Sequence, residues 1–166
     1  MNVISWKDLV QEKNAINIPS SVTIGVFDGM HLGHKAIMKE LVAVQEQASI
    51  VVTFRNNPQL SLTGKSPGSL TTLRQRYELF EKENITHVVL IDFSKEFGTI
   101  TGQEFISAIQ KRIFIKTLIV GNDFRCGHLR DTDVNSIREM LLPAGVVVKG
   151  IGHVVLQGEA ISSTRI

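Results

Sequence analysis

The sequence predicts an α/β fold with a doubly wound parallel sheet of five to six strands. Two observations predict it. Apolar, β-branched runs of strand length alternate with helical patterns along the chain, which is typical of a parallel sheet with helices on both faces. The 166 residues are 43% apolar and 20% charged, which fits a single domain over residues 1–166 with a sizeable core.

The first predicted elements lie before residue 50. A helical turn is predicted at 7–13, and Pro19 is interpreted as a break before the first strand. The run Val22–Phe27 has the length and apolar character of a buried parallel strand. Residues 33–47 then follow a helical pattern, with apolar side chains on one face and charged ones mostly elsewhere.

The later elements continue this alternation. Ile50–Phe54 is a second β-branched strand, and the polar stretch 55–69 after it is long for an ordinary connection, which indicates a functional loop. A helix at Thr101–Arg112 opens with the capping-box pattern Thr-x-x-Glu. The other helices are predicted at 71–83 and 133–142, and the other strands at 87–92, 117–120, 146–149 and, as a sixth, 154–156. Together these elements predict a Rossmann-like sheet.

Composition and charge exclude several classes of protein. The formal net charge is only +2 and the basic residues are scattered, so no nucleic-acid partner is predicted. The N-terminus has no uninterrupted apolar segment, so no signal peptide is expected, and no stretch reaches the length of a membrane span. The single cysteine, Cys126, excludes an intrachain disulfide and fits a reducing, cytoplasmic compartment. The oligomeric state stays open.

Three polar stretches follow apolar strands, at 28–34, 55–69 and 121–132. In a parallel α/β sheet, ligands bind beyond the carboxyl ends of the strands. We therefore expect the three stretches to gather at one edge of the sheet and to form a ligand site there.

The first of these stretches carries two histidines at a predicted helix start. Backbone N–H groups at a helix N-terminus attract anions, and Gly29 and Gly33 permit a tight turn and a close approach to a ligand. His31 and His34 add side-chain donors, so Asp28–His34 is interpreted as a phosphate site. The alternatives are two surface histidines or two metal ligands. No Cys, Asp or Glu cluster follows at ligand spacing, so no protein-held metal is predicted.

Two later stretches carry residues suited to the same site. Asn122 and Asp123 stand just past a strand end, where they are placed to hydrogen-bond a ribose or a ring, and Phe124 is suited to pack on a flat ring. Alternatively, this is a solvated turn that Phe124 anchors in the core. Ser162–Arg165 offers hydroxyl, N–H and guanidinium groups for a second phosphate clamp, or else a plain helix N-cap.

Four stretches together resemble one known family. Gly25–His34 resembles the signature of the prokaryotic FAD synthetases, and more narrowly of their FMN adenylyltransferase module, a His-x-Gly-His nucleotidyltransferase. The other three similarities are Thr53-Phe54 with Pro58 to the flavin-side loop, Val120–Gly127 to the Gly-x-Asp-Phe-Arg-Phe-Gly stretch, and Ile161–Thr164 to the Ile-Ser-Ser-Thr motif. The resemblance is colinear and covers nearly the whole chain.

The resemblance implies an enzyme that converts ATP and FMN into FAD and pyrophosphate, with Mg²⁺ accompanying ATP. Because the FMN phosphate is already anionic, the reaction needs in-line positioning and charge neutralisation more than a strong base. The implied catalytic residues are His31, His34, Ser162, Ser163, Thr164 and Arg165. The implied ATP-binding residues are Gly25, Phe27, Asp28, Gly29 and Gly33, and the implied flavin-binding residues are Phe54, Asn57, Pro58, Asn122, Asp123, Phe124 and Arg125.

Some positions depart from the family pattern. Arg55 stands where the family has a glutamate, and one proline of that loop is missing, which bears on flavin affinity. Cys126 replaces a phenylalanine, and Thr132 a glycine. The arginine that follows the Ser-Ser-Thr motif is absent, since the sequence ends at Ile166.

Most relatives carry a riboflavin kinase domain after that motif. No kinase activity is therefore expected in residues 1–166, whether the chain is monofunctional or a piece of a longer one. Two other functions stay open. One is another adenylyl- or cytidylyltransferase of the superfamily, and the other is a catalytically weak flavin-nucleotide-binding module, which the altered loop at 55–58 would favour.

Overall fold

The computed structural model describes residues 1–11, 14–59, 64 and 68–152, and the backbone alone of 155–156 and 159–160. Its strands, in chain order, are β1 (Asn2–Ser5), β2 (Ile16–Ile24), β3 (Ala48–Phe54), β4 (His87–Ile91), β5 (Ile113–Gly121), β6 (Arg125–Cys126), β7 (Thr132–Asp133), β8 (Val147–Ile151), β9 (Val155–Leu156) and β10 (Glu159–Ala160). Its helices are α1 (Trp6–Val10), α2 (Leu32–Ala43), α3 (Leu73–Lys82), α4 (Gly102–Gln110) and α5 (Val134–Leu141). No helix in these ranges is long and apolar enough to cross a membrane.

Six of the strands form one parallel sheet in the order β1-β4-β3-β2-β5-β8. From β2 the chain moves to β3 and β4 on one side, then returns to β5 and β8 on the other, so the strand order reverses between β2 and β5. Such a reversal opens a crevice at the carboxyl ends of the strands, where α/β proteins bind ligands. The predicted α/β class and Rossmann-like sheet are confirmed.

The sheet buries an apolar core on each face, because successive side chains of a strand point to opposite sides. Val51 and Ile119 belong to the core beneath α2 and α3. Val52 and Val120, their neighbours in sequence, belong to the core beneath α1, α4 and α5. Burial on both faces explains why the strands are continuously apolar rather than alternating.

The start of α4 follows its local sequence. Thr101 accepts a hydrogen bond from the N–H of Glu104, and the Glu104 carboxylate accepts one from the N–H of Thr101. The predicted capping box is therefore confirmed. Asp131 lies at the end of the segment that follows β5, residues 122–131, which we call the β5 loop. Its carboxylate accepts a further hydrogen bond from the N–H of Gly102, which ties that loop to the helix.

The segment predicted as a sixth strand, 154–156, does contain a strand at Val155–Leu156, but this strand is not part of the parallel sheet. The strand that completes the sheet is β1, which pairs in parallel with β4. Val155–Leu156 instead pairs antiparallel with Glu159–Ala160, outside the six-stranded sheet. The strand β1 and the strand Val155–Leu156 are both short. Tertiary contacts, rather than the pattern of the segment itself, decide which sheet such a short segment joins.

The predicted bounds of the first elements are also wrong. The turn expected at 7–13 is α1, which begins at Trp6. β2 begins at Ile16 and contains Pro19, near which the pairing with β5 shifts register. Such an irregularity accommodates a proline, which has no N–H for the ladder. At its other end β2 stops at Ile24, so Phe27 lies in the following loop.

Candidate functional site

The loop from β2 to α2 places the two histidines where the strand order reverses. His31 is the N-cap of α2, and its Nδ1 accepts a hydrogen bond from the N–H of His34 at 3.4 Å. An accepting Nδ1 leaves the proton of the neutral ring on Nε2. The His31 side chain therefore offers an Nε2–H donor beside the first N–H groups of α2, which have no intrahelical partner.

The two imidazole rings are stacked, with centroids 3.6 Å apart and planes 25° from parallel. Burial, with a smaller contribution from His31, lowers the pKa of His34 from 6.5 to about 3, and burial also lowers the pKa of His31. His34 Nδ1 is buried and has no hydrogen-bond partner among the described residues. Near neutral pH the pair is uncharged, and a bound anion would stabilise the protonated form of either ring.

Phe27 is the buried aromatic residue of this loop and packs against His34. Its backbone is left-handed (φ +53°), which costs roughly 1–2 kcal/mol for a residue with a Cβ. Its ring is 2% exposed and meets His34 edge-on at 5.1 Å, and burying such a ring is worth a comparable 1.5–3 kcal/mol or so. A Cβ at Gly25 would lie 2.8 Å from that ring, so the glycine lets the ring fold back.

Asp28 fastens this loop to the segment before α3. Its carboxylate accepts hydrogen bonds from the N–H of Leu70 at 2.9 Å and from the N–H and hydroxyl of Thr71, both at 2.8 Å. Burial alone would raise the pKa of Asp28, but these hydrogen bonds outweigh it and lower the pKa. Gly29, with φ +76°, donates its N–H to the Thr71 hydroxyl. The predicted ATP-binding carboxylate thus holds the loop in shape.

Arg76 on α3 is a site residue that sequence reasoning missed. It is 3% exposed, and its guanidinium donates hydrogen bonds to the carbonyls of Val26 at 3.1 Å, Phe54 at 2.8 Å and Arg55 at 2.6 Å. Burial lowers its pKa. A signal was present in the sequence, because Arg76 lies four residues before Phe80 on the apolar stripe of the helix.

Phe54, at the end of β3, belongs to an aromatic cluster. Its ring meets Phe93 at 6.0 Å and Phe97 at 6.5 Å, both edge-on, and Phe93 and Phe97 follow the end of β4. All three side chains are half-buried. The cluster gives the carboxyl edge of β3 and β4 an apolar, aromatic surface, and sequence reasoning named only its first member.

The segment after Phe54 is shaped by local hydrogen bonds. Asn57 Oδ1 accepts from the N–H of Gln59 at 3.0 Å, and Pro58 and Gln59 are helical. This is an N-cap with proline at the first helical position. Arg55 forms an ion pair with Asp92 at the end of β4. The base that stands where the family has an acid is therefore neutralised by a neighbouring acid.

The β5 loop brings further predicted residues to the same edge. The N–H of Asn122 donates to the carbonyl of Ile151 at 2.9 Å, and its side chain packs so closely over Gly150 that a Cβ there would collide with it. Phe124 packs against the core beneath α4 and α5, which is the anchoring role that the sequence left as an alternative. Asp123 and Arg125 are exposed.

Other predicted residues contribute differently. Burial raises the pKa of the Cys126 thiol to about 12, so the thiol is neutral and suits the structural role predicted for it. Ser162, Ser163, Thr164 and Arg165 lie outside the described residues, and their role as a clamp stays a prediction. Among the residues that the structure describes, no three His, Cys, Asp or Glu side chains are grouped to hold a metal ion.

A surface cavity of about 510 Å³ lies away from this edge. Its lining includes Val10 of α1, Glu104 of α4 and Lys111 just after α4. The site is therefore identified by its chemistry and by the strand reversal, not by depth.

The chain matches the family described as FAD synthetase over residues 13–165. It is 32% identical over 130 residues to the bifunctional riboflavin kinase/FMN adenylyltransferase of Buchnera aphidicola subsp. Schizaphis graminum, covering 75% of this chain and 42% of that protein. It is 31% identical over 150 residues to the Escherichia coli K12 protein of the same name, covering 87% and 48%. The chain thus spans about half the length of these curated relatives.

Solved structures share the fold. A Streptococcus pneumoniae protein described as a macrolide-efflux protein superposes with a TM-score of 0.86 at 23% identity, covering 99% of this chain and 54% of that one. Pantothenate synthetase from Thermus thermophilus superposes with a TM-score of 0.62 at 14% identity, covering 99% and 67%. Because the family match covers residues 13–165, nearly the whole of this chain, the chain belongs to the FAD synthetase family.

Proposed function

We propose that the chain transfers the adenylyl group of ATP to FMN, giving FAD and pyrophosphate. The observation that carries the proposal is the stacked pair of His31 and His34 at the start of α2, beside the aromatic end of β3. Family membership supports the choice of substrates, and relatives named FMN adenylyltransferase support the choice of reaction. ATP and FMN are its proposed partners, and the single cysteine supports a cytoplasmic location.

The ATP side of the proposed site is the β2–α2 loop. The start of α2 has the positive end of its dipole and unpaired N–H groups at the same point as the His31 Nε2–H. The oxygens of Asp28 already accept hydrogen bonds from Leu70 and Thr71, so its role in the proposed site is to hold the loop. Gly25, Gly29 and Gly33 keep the loop close to the ligand.

The flavin side of the proposed site is the end of β3 and the β5 loop. An isoalloxazine ring is flat and largely apolar, and aromatic side chains interact favourably with such rings. Phe54, Phe93 and Phe97 supply an aromatic surface at the carboxyl ends of β3 and β4. Asn122 and Asp123 at the end of β5 supply polar groups for the sugar and ring edges.

The proposed reaction uses these positions. A phosphate oxygen of FMN attacks the α-phosphorus of ATP, a new phosphoanhydride bond forms, and the bond from the α-phosphorus to the bridging oxygen breaks, releasing pyrophosphate. The nucleophile is already anionic, so no residue has to remove a proton. His31, His34 and the N–H groups of α2 stabilise the charge on the phosphates in the transition state.

Mg²⁺ enters this proposal with its substrate, as MgATP. The described residues gather no carboxylate cluster for it, and Mg²⁺ often relies on substrate phosphates and few protein ligands. Ser162–Arg165 remain the proposed second clamp on the phosphates.

The test is to incubate the chain with MgATP and FMN and to follow FAD and pyrophosphate by chromatography. Equal amounts of FAD and pyrophosphate are expected, with no phosphorylation of riboflavin offered in place of FMN. Replacing ATP by CTP controls for another transferase of the superfamily. A folded chain that yields no FAD above the blank would overturn the proposal, and a stoichiometric flavin complex without turnover would identify a binding module instead.

A further inference from the structure

We propose that Arg76 is a positioning residue that couples the ATP-side loop to the flavin-side segment. The inference rests on the proposed function and deepens it. It concerns the relative placement of two substrates rather than contact with either one.

The contacts of Arg76 join two loops that are far apart in sequence. Nη1 donates to the carbonyl of Val26, which stands directly before Phe27 and Asp28, and to the carbonyl of Phe54 at the end of β3. Nη2 donates to the carbonyl of Arg55. One guanidinium thus spans the loop that carries the histidines and the segment that carries the proposed flavin surface.

Thr53 belongs to the same link. Its hydroxyl donates to the carbonyl of Val26 at 3.1 Å, so Val26 is tied both to β3 and to α3. Thr53 is fully buried and Arg76 is 3% exposed, so water does not compete for these bonds. Their geometry is therefore set by the protein.

The burial of Arg76 is costly. No carboxylate is hydrogen-bonded to the guanidinium in the described part of the chain, although Asp28 lies near enough to favour the charged form. Its Nε is buried without a partner among the described residues. A buried cation is usually no more stabilising than a well-packed apolar side chain, so stability alone explains Arg76 poorly. A role in fixing the relative position of the ATP-side loop and the flavin-side segment explains the buried Arg76 better.

In-line transfer makes this relative position important, because misplacing two reacting groups by about 1 Å lowers the rate of reaction by as much as about 100-fold. Arg76→Met keeps the length of an apolar stem but removes every hydrogen bond. We expect the kcat of folded Arg76→Met to fall at least about ten-fold, with KM for ATP and FMN within about three-fold of wild type. Arg76→Lys, which still donates to converging carbonyls, is expected to recover most of the lost kcat.

Arg74→Met is the matched control, because Arg74 lies two residues earlier on the same helix, is exposed, and is paired with Glu78. It is expected to leave kcat unchanged. The fraction of folded protein is measured for each variant by circular dichroism, and kcat is expressed per folded molecule. A merely structural Arg76 would lower the melting temperature but not this kcat, and that result would overturn the proposal.

Two further measurements test the role of Arg76 if the first variant does not fold or if the chain makes no FAD. If Arg76→Met does not fold, Thr53→Val is tested instead. This variant removes the hydrogen bond from Thr53 to Val26, and valine has nearly the same shape as threonine and is well suited to a β-strand. Its kcat must fall in the same way, and an unchanged kcat overturns the proposal.

If the wild-type chain makes no FAD, the proposed function fails, but the coupling between the two binding sites is still measured. FMN fluorescence titrations with and without α,β-methylene-ATP should show linked binding in the wild type that is lost in the folded variant, Arg76→Met or Thr53→Val. Independent binding in the wild type, or equal linkage in the variant, would overturn the proposal.

Discussion

His31 and His34 stack face to face with ring centroids 3.6 Å apart, and the N–H of one residue donates to the Nδ1 of the other. Two imidazolium ions do not share such a separation easily, because like charges at short range disfavour each other. Both rings are partly removed from water, and both pKa values are lowered. Both rings are therefore uncharged near neutral pH, which is the state that the proposed phosphate site starts from.

The first prediction concerns this pair. His31→Ala or His34→Ala removes a proposed phosphate donor, and where such donors have been removed elsewhere kcat fell by about 100- to 1000-fold. We expect a loss of that size in the rate of FAD formation, measured at saturating ATP and FMN. His87→Ala is the control, since His87 begins β4 and its ring nitrogen is paired with the Thr86 hydroxyl. Full activity in both site variants would refute the phosphate role.

The second prediction concerns pH. The pKa of His34 is about 3 in the folded chain and 6.5 ordinarily, so below pH 6.5 the unfolded chain binds a proton that the folded chain does not. Stability from the neutral ring is thus fully present above pH 6.5 and is lost as pH falls toward 3, by up to about 1.4 kcal/mol per pH unit.

Urea unfolding of the wild type and of His34→Gln at pH 7.5, 6.0 and 5.0 measures this contribution. The variant lacks the titrating ring. As pH falls, the free energy of unfolding of the wild type should therefore decrease more than that of the variant. If the free energies of unfolding of the two proteins changed equally with pH, the burial of His34 would not control its protonation.

The third prediction concerns Asp28. Asp28→Asn replaces one accepting oxygen by an NH₂ group, which leaves an N–H of Leu70 or Thr71 without its acceptor. An unsatisfied buried donor costs about 1–3 kcal/mol, and we expect a loss in that range by chemical unfolding. Asp92→Asn is the control, because its ion pair with Arg55 is exposed and such pairs contribute about 0–1 kcal/mol. Equal losses in the two variants would contradict the anchoring role.

The fourth prediction concerns Asn122 and Gly150. A methyl group at Gly150 would collide with the amide of Asn122, so Gly150→Ala must displace that side chain. We expect a loss of stability that Asn122→Ala largely relieves when the two changes are combined, because neighbouring residues are not additive. Thermal unfolding of the single and double variants gives the coupling. Strict additivity would mean that the backbone of β8, rather than Asn122, resists the substitution.

Much of the fold followed from local sequence. The apolar runs at 50–54 and 117–120 lie within strands of the sheet, and the run predicted at 87–92 is β4 except for its last residue. Thr101 caps α4 through the capping box that its spacing with Glu104 predicted. These features depend on neighbours within a few residues, which is what a pattern records. The strand β1 was missed because it has only four residues, two exposed and two partly buried, which carry too little signal.

The candidate site divides in the same way. His31, Gly33 and His34 at the start of a helix are visible in the sequence, because a strand, a turn and a helix start are all local. The anchoring of Asp28 by Thr71 joins residues 43 positions apart, and the hydrogen bond from Arg76 to Val26 joins residues 50 positions apart. Only the tertiary structure decided these contacts. The packing of α2 and α3 on one face of the sheet fixes which backbone carbonyls and rings face each other, and no periodicity along the chain records that distance.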